Sequence, residues 1–554
     1  MLHPGGDYSE INLAGHNLQN LDLREVNLSR ANLTGANLAG INLTGANLRN
    51  AILINADLSG ANLSSAILNR ADLSDASLKG ANLQFAQLRG AYLKGVNLEE
   101  ANLEQAKLQG ANLRNANLIK ATLNYAKLTR TQLRGAKMLQ AQLCYARLTV
   151  ANITCADLRG ANLSYADIEA ADLQGVNLDG ANLEHADLRR CNLIAASLIE
   201  AKLQNACLSK ADLTASLLNR ANLSGAKLIG SSLIASDLVE ANLPNAYLLR
   251  ANLSYANLQR ANLCLADLRR AYLSGADLSS AQLRADLCRA NLLMACLFSA
   301  NLHEALLSRA YLNSVNFERA NLCGVNLKSA DITGANLSST LVEAAEFGNN
   351  PGLYKEMAES LQQRGANVMN CSSNIAVLEL PPEMADEISL EVFRKLMGYF
   401  CSQNFFRGDD HQEIRRRNDD FRSNIQDRLA DLQGVFEMLQ RNVTLIQSRL
   451  DELTNVDNDN NDFPEIVESL PIVRQALAEV VPEISEIENW INEYVNTMQD
   501  RFSNTNLESF SSEEMNEQLN HFSHLISRLI RDIRFTQLLI NYLYGGNNSI
   551  FEAA

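Results

Sequence analysis

A leucine returns every five residues from about Gly6 to Phe347, two places after a small residue and one place after Asn, Asp or another polar side chain. The run Ala31-Asn32-Leu33-Thr34-Gly35, Ala36-Asn37-Leu38-Ala39-Gly40, Ile41-Asn42-Leu43-Thr44-Gly45 shows the unit plainly. This period fits neither standard element. On an α-helix, five residues advance about 140° beyond a full turn and scatter the leucines over every face. On a flat strand an odd period sends successive leucines to opposite faces. The conflict disappears if the chain turns a corner after each unit, so that every leucine points to one axis. The pattern predicts a solenoid.

The other places agree with that reading. The small residue at place one points inward where little volume remains. The polar residue at place two faces outward, and a short amide or carboxylate there can hydrogen-bond the backbone of the corner or form a ladder with its counterparts on stacked coils. Gly, Ser and Asn are common at place five, where a turn tolerates little bulk. These Ala-Asn/Asp-Leu-X-X units resemble the pentapeptide-repeat family, of the cyanobacterial type, over about three-fifths of the chain in about seventy units. The resemblance implies a mainly β fold, a right-handed quadrilateral parallel β-helix with twenty residues per coil. The outward residues offer a separate check on that number. Phe85, Tyr125, Tyr145, Tyr165 and His185 lie at multiples of twenty from one another, interrupted by Gln105. Lys107, Lys127 and Arg147 form a second such column, and Lys94, Arg114 and Arg134 a third. Stacking at about 4.8 Å per coil gives a rod of about 80 Å. One unit is short: Ala281-Gln282-Leu283-Arg284 runs directly into Ala285-Asp286-Leu287. Either one corner absorbs the missing residue or the rod bends there, as bulges redirect sheets.

The repeat ends near Gly348-Asn349-Asn350-Pro351-Gly352, which places the β-helix at residues 1–348 and a capping and connecting segment at 349–405. A short helix is expected at Leu353–Gln363, closed by Arg364-Gly365, covering the last exposed leucines and the open edge. A strand is expected at 375–380 and a helix at 390–403. Beyond Arg407 apolar residues recur at three and four, as in Phe421, Ile425, Leu429, Leu432 and Phe436. These seams predict an acidic helical bundle or coiled coil at 406–554, packed within one chain or paired between chains. A capping box at Ser511 and Glu514 opens the third long helix.

Charge sharpens this division. The chain carries a net charge of −15. Residues 1–348 hold 29 acidic and 31 basic side chains, residues 349–554 hold 34 and 17. No apolar stretch reaches the length of a membrane span, and the start lacks a signal-peptide core. The ten cysteines have no paired spacing, which points to a reducing, cytoplasmic compartment.

Candidate chemistry is sparse. The loop from Asp457 to Asp462 has Glu468 at the twelfth place of a calcium loop, but Asp462 stands where that loop needs glycine and Pro464 at the eighth place. It reads as an acidic linker. His16, His185 and His303 stand on different coils, and His521 and His524 share a helix turn without cysteines nearby. No phosphate loop, nucleophile elbow or metal motif occurs, so no enzyme, cofactor or metal site is expected. One surface rises above this background. Between Glu104 and Asp157 there is no acidic residue, whereas Lys107, Arg114, Lys120, Lys127, Arg130, Arg134, Lys137 and Arg147 all fall there. With Tyr125, Tyr145 and Tyr165 nearby, these eight uncompensated cations read as a belt for a protein partner, since Tyr and Arg dominate binding hot spots; the alternative is an aromatic column that only stabilises stacked coils. The expected function is a non-catalytic scaffold or adaptor. The runner-up is a DNA mimic or nucleic-acid-related regulator, which some pentapeptide-repeat proteins suggest. A near-neutral rod with a basic belt argues against mimicry, and the acidic C-terminal part against direct nucleic-acid binding.

Overall fold

A computed structural model of the chain describes residues 2–369. The expected strand at 375–380, the helix at 390–403, the helical module at 406–554 with its Ser511 cap, the 457–462 linker, and His521 and His524 all lie outside the described residues.

Backbone hydrogen bonding explains why the repeat has five places. In one unit Asn32 donates its N–H to Ile11 of the coil before (2.9 Å), and Leu33 and Gly35 donate to Ile52 and Ile54 of the coil after (2.7 and 2.9 Å). Ala36 N–H returns to Leu33 C=O at 3.0 Å and closes the corner. That leaves the N–H of place four, and Asn32 Oδ1 accepts it from Thr34 at 3.1 Å. All five donors of the unit are then satisfied, as a buried or half-buried backbone requires. An Asn or Asp at place two is therefore the side-chain acceptor that completes the turn. Place-two amides also pair between coils, as Asn47 Nδ2 does with Asn27 Oδ1 at 3.0 Å.

Outside the short unit, the corners are type II turns: the bond from place one back to place three closes them, and the second central residue has positive φ. Glycine takes this place without penalty, but Arg30, Phe85, Tyr125 and many others also sit there at φ between 55° and 60°. Sequence signalled only that bulk is rare at place five; the backbone shows that conformation is the reason.

Place-two residues pair in parallel with partners twenty positions away, from Asp7 with Asn27 to Asn242 with Asn262. The leucines and place-one alanines between them form one continuous buried core along the coils. A buried leucine contributes about 2 kcal/mol, so stability accumulates coil by coil. Hydroxyls that replace alanine at place one are buried with their hydrogen bond satisfied, because the corner carbonyl accepts it: Ser216, Ser231 and Ser236 donate to Leu213, Leu228 and Leu233 at 2.6–2.8 Å. Across the short unit the partner offset falls to nineteen, as in Asp267 with Asp286 and Gln282 with Asn301, and returns to twenty at Asp286 with Leu306. Ala285 N–H reaches Leu283 C=O at 2.7 Å, one residue closer than at other corners. One tightened corner absorbs the deletion and the ladder continues unbroken.

The last coil is covered. Strand β1 (Glu346–Gly348) pairs in parallel with β2 (Asn367–Met369), and helix α1 (Lys355–Gln363) lies between them in sequence. Leu353, Ala358 and Leu361 join the core; the helix expected at Leu353–Gln363 starts two residues later, at Lys355, and Leu353 packs from just before its N-cap Tyr354. β2 was not foreseen, because Asn-Val-Met is too short to carry a strand pattern. Buried Asn350 bridges this join by donating to Ala330 C=O (2.8 Å) while accepting from Gly348 N–H (2.6 Å). The Arg364 guanidinium binds the carbonyls of Leu337 and Thr340. At Gly352, φ is +81° and a Cβ would stand 2.5 Å from the Thr333 backbone, so only glycine fits.

Candidate functional site

The twenty-residue register sorts the basic belt into separate surfaces. Gln105, Tyr125, Tyr145 and Tyr165 occupy place five of one corner. Lys107, Lys127 and Arg147 are place two of the face that leaves this corner, and pair backbone to backbone in successive coils. Arg114 and Arg134 sit at place four beside Asn115 and Gly135, the corner ten residues further round a four-sided coil and therefore opposite. Of the candidate residues, six therefore share one edge of the rod, and Arg114 and Arg134 cannot join them against a single flat partner.

The expectation of eight uncompensated cations is corrected by the same register. Lys120 lies 3.8 Å from Glu100 and Arg147 lies 3.4 Å from Asp167, each partner exactly one coil away and distant in sequence. Arg114 turns its guanidinium to Gln132 Oε1 at 3.3 Å. Lys107 and Lys127 make no ion pair among the described residues.

The aromatic corner is a regular stack. Ring centroids lie 5.1 Å apart for Tyr125 and Tyr145, 4.9 Å for Tyr145 and Tyr165, and 4.8 Å for Tyr165 and His185, with planes within 2–10° of parallel. The spacing is that of the coils, so the backbone sets it. Each tyrosine is about half exposed and holds φ near 58°, a conformation unusual for a bulky side chain. Stacking leaves the ring edges and hydroxyls facing outward.

The face beside this corner departs from what the fold asks for. Its place-two residues on five successive coils are Ile67, Gln87, Lys107, Lys127 and Arg147, none of which can cap its corner as Asn or Asp does. The column then returns to Asp167 and Asp187 and departs again at Cys207, Lys227 and Tyr247, with a single cation among those three. At the return, Arg189 donates to the Asp187 carboxylate at 2.6–2.9 Å and holds its carboxyl below the usual carboxylate range. Signal for this departure was available in the sequence, but only once place two was known to complete the turn. Elsewhere, burial pushes the Cys191 thiol up to about 12, and its Sγ–H donates to Ile168 C=O at 3.2 Å, so it is a packing residue. His16, His185 and His303 remain apart, and no cluster of metal-ligating side chains occurs among the described residues. No described helix is long and apolar enough to cross a membrane.

Comparison with solved structures returns pentapeptide repeat proteins among its matches. HetL, a pentapeptide repeat protein involved in heterocyst differentiation regulation from the cyanobacterium Nostoc sp. strain PCC 7120, is 39% identical over 43% of this chain and 89% of its own, with a TM-score of 0.22. Rfr23, a pentapeptide repeat protein from the cyanobacterium Cyanothece 51142, is 35% identical over 19% of this chain and 85% of its own, with a TM-score of 0.15. QnrB1, a plasmid-mediated fluoroquinolone resistance protein, is 20% identical over 35% of this chain and 93% of its own, with a TM-score of 0.18. Among curated proteins nothing matches. The family description "Pentapeptide repeats" matches in overlapping stretches across residues 9–95 and 97–338, more than half of the chain. The coils, their five-place hydrogen bonding and this match lead to one conclusion: the chain belongs to the pentapeptide-repeat family, whose fold is the right-handed quadrilateral β-helix.

Proposed function

We propose that the protein is a non-catalytic scaffold that binds an acidic protein partner along the edge formed by Lys107, Lys127, Arg147, Tyr125, Tyr145 and Tyr165. One observation carries this reading. On five successive coils of that face the corner-capping Asn or Asp is replaced, and three of the replacements are cations, two of them without a counter-ion among the described residues. Folding does not ask for those residues, so another role is the better account. A rigid backbone and a locked ring stack also present this edge preorganised, which lowers the entropic cost of binding. The acidic sequence at 406–554 can bring a second interaction, and the scattered cysteines suit a reducing, cytoplasmic setting. DNA mimicry is disfavoured, because it calls for a continuous acidic surface where this edge is basic.

Affinity capture with the full chain and with the Lys107→Glu/Lys127→Glu/Arg147→Glu variant tests the proposal. The triple reversal should leave the fold intact, since all three side chains point outward. It should remove a set of captured proteins whose binding weakens as salt shortens the screening length, about 8 Å at physiological ionic strength. An unchanged set would reduce the edge to a solvated face.

A further inference from the structure

The ring stack has a missing rung. Phe85 and Tyr125 stand two coils apart at the same corner, with Gln105 between them, and together with Lys107 and Lys127 they line an open hollow of roughly 470 Å³. Two coil rises amount to about 9.6 Å. A planar ring inserted midway lies about 4.8 Å from each neighbour, the spacing Tyr125, Tyr145 and Tyr165 already keep. Both flanking rings are half exposed, and the Gln105 side chain makes no hydrogen bond among the described residues. Glu104, the adjacent acid, does not line the hollow; its carboxylate accepts from Gln84 Nε2 at 3.1 Å.

We infer that this notch is a recognition site for one aromatic side chain of an acidic peptide, the ring completing the column while flanking carboxylates reach Lys107 and Lys127. This rests on the scaffold reading above and adds the feature that would make it selective. The geometry favours a single ring over a nucleic-acid strand. Stacking of successive bases needs several open ring faces, but Tyr145 and Tyr165 each spend both faces within the column. The opening at Gln105 offers one place only.

The test uses the full chain and calorimetric titration with two seven-residue peptides, each with three Glu on either side of a central Phe or a central Leu. The Phe peptide should bind on the order of tenfold tighter. Gln105→Tyr, which supplies the missing rung from within, should abolish that preference while leaving affinity for the Leu peptide unchanged and the melting temperature no lower. Gln105→Gly, which opens the hollow and relieves the positive φ, should keep the preference and guards against misreading a folding defect. Lys107→Glu/Lys127→Glu should lose both peptides. Equal binding of the two peptides, or a preference that survives Gln105→Tyr, overturns the notch while the basic edge stands. Failure of both peptides overturns the notch and the edge together. Tighter binding of a thymidine oligonucleotide, lost on Gln105→Tyr, would assign the notch to a base and overturn the peptide reading.

Discussion

Two opposite corners of the same coils obey one backbone rule and fill it differently. At the aromatic corner, place five holds Tyr125, Tyr145 and Tyr165 at φ 57–59°. At the opposite corner of those coils it holds Gly135, Cys155 and Gly175, two glycines that accept positive φ readily and one small side chain, with Asn115 one coil before them. The glycines there also make room: a Cβ on Gly135 would meet Asn115 Oδ1 at 2.5 Å. The second corner shows what the fold needs and the first shows how far it can be departed from. Bulky rings persist there in a conformation that costs them more than glycine, their stacking adds a favourable term, and an exposed aromatic surface is the result.

The core should not register this difference. Leu123→Ala, behind the aromatic corner, and Leu113→Ala, behind the opposite one, should each cost about 2–5 kcal/mol in denaturant unfolding of the full chain. A loss at one corner several times that at the other would show that the corners are not built on one common core.

A smaller effect separates conformation from stacking. Tyr145→Asn removes two ring contacts of about 0.5–1.5 kcal/mol each and relieves αL strain of about 1–2 kcal/mol, so its net change in stability should stay within about 1 kcal/mol. Asn115→Tyr adds the strain with no ring above or below, and should destabilise by about 1 kcal/mol. Should Tyr145→Asn instead cost far more than that, the column is structural and the interaction reading weakens.

Much of this was legible in sequence. The axis, the corners and the short unit follow from where leucine and alanine recur, because a solenoid core repeats its environment at every unit; the twenty-residue coil came from the family resemblance, with the outward columns as its check. Gln105 was visible as a gap in a column. Contacts one coil apart were harder to see. Lys120 and Arg147 looked uncompensated because Glu100 and Asp167 lie outside the run of cations in sequence and beside it in space. Arg114 and Arg134 seemed to join the belt until ten residues were recognised as half a turn of the square. β2 carried no pattern at all; its three residues pair because Asn367 N–H reaches Ala345 C=O at 2.8 Å and the last coil offers an open edge.

The central claim is that one corner is a binding edge and its opposite is not, and paired charge reversal measures that most directly. Lys107→Glu/Lys127→Glu/Arg147→Glu and Arg114→Glu/Arg134→Glu are compared for affinity to one captured partner over a range of salt. The account predicts on the order of tenfold or greater loss and a flattened salt dependence for the first variant, with affinity for the second within about twofold of the unaltered chain. Equal losses at the two corners would reveal diffuse electrostatic attraction to the whole rod, and would contradict it.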